Sequence, residues 1–142
     1  AENFNQDLSN WDVSNVTDMS YMFYGAESFN QNISDWDVSS VTSMGGMYSM
    51  FALAEKFNQD ISAWDVSSVI AMDAMFKNAS SFNQNIGEWD TSSVITLDFM
   101  FNGAVAFNKD ISQWDVSKVN NMTNMFDGAT ASTVGIGLGW SF

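Results

Sequence analysis

The chain has 142 residues, 46% of them hydrophobic, and carries 17 acidic against 4 basic side chains, a formal net charge of −13. This balance excludes nucleic acid as a partner, because neutralising phosphates requires clustered Lys and Arg side chains. The chain contains neither Cys nor His, which excludes disulfides, Cys-ligated zinc and Ser-His-Asp catalysis. No stretch reaches the about 20 apolar residues of a membrane span, so we expect a soluble chain without direct membrane insertion.

Self-similarity organises the sequence. Tryptophans recur at intervals of 25, 28, 25 and 25 residues, and Phe-Asn pairs keep the same intervals. The five recurring tryptophans are Trp11, Trp36, Trp64, Trp89 and Trp114. The sequence therefore predicts a single domain over 1–142 that contains five repeats, at about 4–28, 29–56, 57–81, 82–106 and 107–131.

The first polar row of the repeat follows its opening Phe, where the chain is expected to bend. Its members are Asn5, Asn30, Asn58, Asn83 and Asn108. An Asn at a bend can satisfy turn backbone groups and neighbouring amides, so we interpret this row as structural.

The next segment carries apolar residues at the spacing 0, 3, 5 and 8, as in Leu8, Trp11, Val13 and Val16. Because Trp11 and Val13 alternate with Asp12, the pattern predicts a short parallel strand. The spacing also matches the Leu-x-x-Leu-x-Leu signature of leucine-rich repeats.

The second half of the repeat has a longer period. In the first repeat Val16, Met19, Met22, Phe23 and Ala26 form one stripe of a 3.6-residue period, which is typical of a short helical turn. Residue types that accept the left-handed conformation then follow in four of the five repeats. These residues are Gly25, Asn78, Gly103 and Gly128.

One strand and one helical turn cannot bury these side chains alone, so each repeat must stack on the next. The predicted fold is an α/β repeat. It is a right-handed leucine-rich-repeat-like solenoid with one short parallel strand and one short helical turn per 25-residue coil. Ladders of Trp, Phe, Met and Val are expected to form its core.

An Asp follows the Trp of every repeat, and alternation points it outward. The members of this Asp row are Asp12, Asp37, Asp65, Asp90 and Asp115. Adjacent carboxylates about 5 Å apart in water repel by roughly 0.8 kcal/mol, so a compensating partner is expected. One interpretation is hydrogen bonding to the Ser two residues downstream. The other is a weak site for Ca²⁺ or a cationic partner, with Asp35 and Glu88 beside the row; no other metal or cofactor is predicted.

Residue types vary at the position before each Trp, which we expect on the same exposed face as the Asp row. The residues are Asn10, Asp35, Ala63, Glu88 and Gln113. Varied side chains on an invariant scaffold suit recognition. The candidate ligand-binding residues are therefore this variable row, the Asp row and Tyr48.

Tyr48 lies in an insert of three extra residues within 45–49, inside the predicted helical segment of the second repeat. Inserts in repeat proteins map to loops on one face. The insert is either tolerated length variation or a protrusion that contacts a partner through Tyr48.

The two ends of the chain depart from the repeat. The start lacks the basic and then apolar order of a signal peptide, which indicates a mature or excised segment. At the other end, 132–142 retains a degenerate apolar spacing and is predicted to form a capping strand. The oligomeric state is left open.

Two segments carry a family resemblance. Residues 29–42, FNQNISDWDVSSVT, and 72–79, MDAMFKNA, resemble the BspA-type leucine-rich repeat surface proteins, in particular those of mycoplasma lipoproteins. The likeness covers residues 3–129. It implies an extracellular or cell-surface location and a role in adhesion or recognition, and it carries over no catalytic residues.

We therefore predict an extracellular or cell-surface recognition module that binds a protein or a glycan. We predict no enzyme, because an identical carboxylate in every coil does not supply the different environments that a general acid and a general base need. The alternative is a structural spacer, with or without stabilising Ca²⁺, that has no ligand of its own.

Overall fold

The computed structural model describes residues 1–131, and the capping strand predicted at 132–142 lies outside them. Within the described range the chain forms neither an α-helix nor an extended strand, and its regular pairing consists of isolated parallel bridges. The bridges join Asp18 to Ser43, Ser43 to Ala71, Ala71 to Thr96 and Thr96 to Asn121. Each bridge connects equivalent residues of successive repeats. The repeats therefore stack in register, and we call them coils one to five.

The prediction of a strand in each coil is wrong. Two consecutive turns occupy the segment instead: the N–H of Trp11 donates to the Leu8 carbonyl at 3.0 Å, and that of Val16 donates to the Val13 carbonyl at 2.9 Å. The N–H groups that bond within a coil are not available to a neighbouring coil. Pairing between coils begins just beyond this segment, at the single-residue bridges.

The prediction of a helical turn is also wrong, and with it the α/β leucine-rich-repeat-like solenoid. In coil one, the N–H groups of Met22, Tyr24 and Ala26 each donate to the carbonyl three residues earlier. The N–H groups between them donate to coil two, as that of Phe23 does to the Met50 carbonyl at 3.0 Å. An α-helix would bond each N–H to the carbonyl four residues back. The segment is a succession of turns whose alternate amides hold the next coil.

Residues with positive φ set this backbone path. One row comprises Tyr21, Ala74, Phe99 and Asn124, and a second row, four residues later, comprises Gly25, Leu53, Asn78, Gly103 and Gly128. Their φ angles lie between 54° and 75°, in the range that the third residue of a type II turn requires. The left-handed conformation predicted for Gly25 and its three counterparts is confirmed, although it ends no helix.

The core consists of like side chains stacked on like, as the sequence predicts. The Phe51 ring lies 5.5 Å from Phe23 in the preceding coil and 5.6 Å from Phe76 in the following coil, with all three rings nearly parallel. Phe57 packs on Phe51 within the same coil at 4.1 Å. Offset stacking at these separations adds to the stabilisation from burial. Two interleaved Phe ladders therefore run along the stack.

The tryptophans contribute a second kind of bond between coils. The indole N–H of Trp64 donates to the main-chain carbonyl of Ile33 in the preceding coil at 3.0 Å. Trp36, Trp89 and Trp114 make the equivalent bond. Trp11 belongs to the first coil and is 56% exposed, against 3% for Trp64. A buried indole needs a partner for its N–H, and the stacking supplies it.

The Asn row has the structural role predicted for it. The Oδ1 of Asn58 accepts the backbone N–H of Asn83 in the next coil at 2.9 Å, and it also accepts Nε2 of Gln84 at 3.0 Å. Asn5, Asn30 and Asn83 accept the following Asn amide in the same way. The row thus replaces part of the main-chain pairing that a β-sheet would provide.

In the part of the chain that the structure describes, no helix is long and apolar enough to cross a membrane.

Candidate functional site

The Asp row is exposed along its length, and its carboxylates bond to local donors. Asp37 Oδ1 accepts the backbone N–H of Ser39 at 3.0 Å and the Ser39 hydroxyl at 2.6 Å. The other four members accept the N–H of the Ser two residues downstream in the same way. These are the bonds that the structural interpretation of the row predicts.

The pKa values of several members reflect these bonds. The downstream Ser hydroxyl, followed by its backbone N–H, lowers the pKa of Asp12, Asp37, Asp90 and Asp115. Repulsion between coils acts in the opposite direction but is weaker: Asp12 raises the pKa of Asp37, and Asp115 raises that of Asp90. These four carboxylates are therefore stabilised as anions within their own turns.

A parallel row of turns lies five residues earlier in each coil. Asp60 Oδ1 accepts the N–H of Ser62 at 2.9 Å, and the Ser62 hydroxyl, followed by that N–H, lowers the pKa of Asp60. At the equivalent position Asn32 and Asn85 accept the same kind of bond, at 2.9 Å and 3.1 Å. An amide oxygen can thus replace the carboxylate in this turn.

Acid should destabilise the chain partly through these turns. A carboxyl whose pKa is lowered by folding contributes stability above its unfolded pKa of about 3.9, and this contribution is lost as the pH falls through the lowered folded value. We therefore expect the free energy of unfolding to fall less steeply below about pH 4 in Asp60→Asn than in the parent. Ser62→Ala removes the main cause of the lowered Asp60 pKa, so it should also make the free energy of unfolding less dependent on pH. Urea unfolding at pH 6, 4 and 3 measures this, and identical slopes in all three proteins would contradict it.

The described residues contain no group of three or more acidic side chains placed to hold a metal ion. The calcium interpretation of the Asp row stays a prediction.

The variable row lies at the surface, as expected. Asn10, Asp35, Ala63, Glu88 and Gln113 are all exposed. Tyr48, the remaining candidate, packs against two tyrosines of coil one that the sequence did not identify as candidates. Its ring centroid lies 5.1 Å from that of Tyr21 and 4.9 Å from that of Tyr24, the second pair edge to face.

These three side chains are all the tyrosines of the chain, and we call them the tyrosine cluster. Tyr21 is 62% exposed, and Tyr24 and Tyr48 each expose more than a third of their surface. Met47 beside them is 85% exposed. Large exposed apolar side chains gathered in one place mark interaction sites more often than scattered ones do.

The insert that carries Tyr48 is held by specific bonds. Asp73 Oδ2, in the next coil, accepts the Gly46 N–H at 2.7 Å. The buried Ser49 hydroxyl bonds to the Gly46 carbonyl at 2.7 Å and also to the Asp73 carbonyl. The insert is therefore built into the stack on both sides of Met47 and Tyr48, and it presents them in a defined position.

A cavity of about 400 Å³ adjoins the tyrosine cluster, and Tyr24 belongs to both. Met47, Leu53 and Phe99 form much of its apolar wall, and Asp73, Lys77 and Asp98 are its charged residues. The Lys77 ammonium lies over the Phe99 ring, 5.2 Å from the ring centroid. The cavity thus combines apolar walls with a few fixed charges, as ligand sites commonly do.

Bulky residues near this cavity adopt an unfavourable backbone conformation. Leu53 and Phe99 line it with φ of 61° and 55°, and Tyr21 of the tyrosine cluster has φ of 70°. The left-handed region costs a residue with a Cβ roughly 1 to 2 kcal/mol relative to the right-handed region. Three other coils place Gly at the position of Leu53, as Gly25, Gly103 and Gly128, so the fold accepts the less strained residue there. Strain of this kind concentrates at functional sites.

Tyr21, Tyr24, Lys77 and Phe99 were not identified from the sequence. One signal was present: all tyrosines fall in the first two repeats, at positions where the other coils carry different residues. Their meeting depends on how the insert returns to the stack, which the spacing does not reveal.

The fold and the site define the class of the chain, which is a tandem-repeat protein of stacked coils with an aromatic surface where one insert packs against coil one. The model of the family described as "Mycoplasma protein of unknown function, DUF285" matches residues 1–50 and 45–137, and the chain belongs to that family. No curated protein and no solved structure matches the chain.

Proposed function

We propose that the chain is an extracellular or cell-surface recognition module that binds a protein or a glycan through the tyrosine cluster and the adjoining cavity. The observation that carries the proposal is the convergence of all three tyrosines at an insert fixed by Asp73 and Ser49. Aromatic side chains are enriched at the centres of binding surfaces, where they contribute a large contact area at low entropic cost. An insert that packs in a fixed position also lowers the cost of ordering the surface on binding.

The proposed location rests on the family and on the sequence resemblance. Membership of a mycoplasma repeat family agrees with the likeness to BspA-type surface proteins. Labelling of intact cells that produce the protein, with a membrane-impermeant lysine reagent, tests it. Labelling of Lys77 or another of the chain's lysines before lysis supports a surface location, and labelling only after lysis contradicts it.

Binding is tested with the fluorescent chain on a glycan array and on a panel of intact cells. We expect saturable binding that weakens roughly tenfold or more in Tyr48→Ala, since truncated aromatic hot spots lose about 2 kcal/mol. Ile95→Ala is the matched control, because Ile95 is 40% exposed, against 38% for Tyr48, and lies outside the cluster. It should bind like the parent.

Treating the cells with protease or with glycosidases shows whether the partner is a protein or a glycan. No saturable binding to any cell or glycan would leave the chain as a spacer without a ligand of its own. Equal losses in Tyr48→Ala and Ile95→Ala would remove the tyrosine cluster from the site.

A further inference from the structure

The surroundings of the tyrosine cluster are acidic. Asp73 and Asp98 line the cavity beside it together with one base, Lys77, and the chain as a whole carries a net charge of −13. A surface with an excess of one sign attracts groups of the opposite sign and raises their association rate. Charge complementarity thus points to a cationic partner.

The exposed aromatic rings suit the same kind of partner. The face of a Tyr ring attracts an ammonium or guanidinium group within about 6 Å. The cavity already contains one such pair, Lys77 over Phe99, so its surroundings accommodate a cation on an aromatic face. Tyr21, the most exposed member of the cluster, offers a ring to a cation from outside the chain.

The carboxylates are less suited to reading the hydroxyl groups of a glycan. Asp73 Oδ2 accepts the Gly46 N–H at 2.7 Å. Asp98 accepts the backbone N–H of Thr123 at 2.6 Å with one oxygen and the Asn121 amide with the other. Oxygens committed to the scaffold are poor acceptors for directional sugar contacts, but their charge still acts on a cation at a distance.

We propose that the occupant of this surface is a basic peptide segment of a partner protein, with an Arg or Lys side chain on the tyrosine cluster and the adjoining residues along the cavity. This inference rests on the proposed function and narrows it to one class of ligand. Asp73 and Asp98 attract the segment, and the aromatic rings select its cationic side chains.

The probe is a blocked tetra-arginine peptide, titrated into the isotopically labelled chain and followed by NMR. We expect the amide signals of Tyr24, Tyr48 and Lys77 to shift, and the affinity to fall as salt screens the charges. A blocked tetra-glutamine peptide and a neutral tetrasaccharide are the matched controls, and neither should shift these signals.

Substitutions at Tyr48 distinguish binding to an aromatic ring from non-specific attraction to an acidic chain. Tyr48→Phe keeps the ring face and should keep the affinity, whereas Tyr48→Leu keeps only apolar bulk and should weaken binding roughly threefold or more. Asp98→Asn should weaken it too. Asp37→Asn removes one charge from the Asp row and should have little effect.

Equal effects of Asp37→Asn and Asp98→Asn, or unchanged binding in Tyr48→Leu, would overturn the inference in favour of non-specific charge attraction. Shifts caused by the tetrasaccharide alone would overturn it in favour of a glycan. In either case the proposed function stands if binding to cells still depends on Tyr48. Loss of the proposed function would instead appear as cell binding that is absent or indifferent to Tyr48.

Discussion

Replacing Trp64 by Ala is expected to lower the free energy of unfolding by about 3 to 5 kcal/mol, the largest effect that we predict for a single substitution. The Trp64 side chain is 3% exposed, and its ring centroid lies 6.2 Å from that of Phe51. Truncation therefore leaves a cavity between two coils. It also removes the indole N–H that pairs with the Ile33 carbonyl. Urea unfolding, followed by far-ultraviolet circular dichroism, measures the loss.

Two further substitutions distinguish the loss of packing between coils from the loss of the indole hydrogen bond. Trp64→Phe retains an aromatic ring but removes the indole donor from the Ile33 carbonyl, which still accepts the Trp36 N–H at 3.2 Å. The loss of this one hydrogen bond should cost about 0.5 to 1.5 kcal/mol. Trp11→Ala makes the same chemical change at the equivalent position of coil one, where the side chain is 56% exposed. It should change stability by about 0.5 kcal/mol or less. Equal losses in Trp11→Ala and Trp64→Ala would show that the stacking of coils does not determine the role of the tryptophans.

The core could be predicted from the sequence because equivalent residues of successive repeats lie at the same place in each coil. A residue that recurs every 25 positions stacks on its own copy once the coils are in register. The Phe, Trp and Asn ladders followed from that single fact. The bonds between each Asp and its downstream Ser are local, so their spacing within one turn was enough to predict them.

The secondary structure could not be predicted in the same way. In coil one Met19, Phe23 and Ala26 are buried and Met22 is half-buried, which is the inward stripe that a helix would produce. Successive four-residue turns with left-handed residues produce the same stripe. Periodicity reports which side chains face inward, and it does not report where the backbone amides bond. In this chain alternate amides bond to the next coil. These amides are therefore not available for the hydrogen bonds of a helix.

The candidate site shows a similar division. Its exposed polar rows could be predicted because each lies at a constant place in the repeat. The cluster of Tyr21, Tyr24 and Tyr48 forms where the repeat is interrupted, and the contacts there join residues of different coils. Lys77 joins the site from coil three through the ring of Phe99 in coil four. Such contacts join residues of different coils, and a pattern within one repeat contains no information about them.

Substituting Gly87 by Ser is the second change with a large expected effect on stability. The repeat suggests that this Ser would stabilise the chain, and we expect the opposite. The other four coils carry Ser at this position, as Ser9, Ser34, Ser62 and Ser112. Restoring a consensus residue commonly stabilises a protein by about 0.5 to 2 kcal/mol. In coil four, however, a Cβ at Gly87 would collide with the main-chain carbonyl oxygen of Asp110 in the next coil. That oxygen belongs to the backbone, so it moves only if the two coils separate.

We therefore expect Gly87→Ser to destabilise the chain by about 1 to 3 kcal/mol, the usual cost of overpacking. Gly87→Ala adds the same Cβ without the hydroxyl, so it should lose a similar amount. Both losses can be measured by urea unfolding beside the parent. Stabilisation by Gly87→Ser would mean that coils four and five separate readily at this point, and that the consensus of the repeat outweighs the local contact. A loss in both variants would show that the close approach of Asp110 determines the residue here.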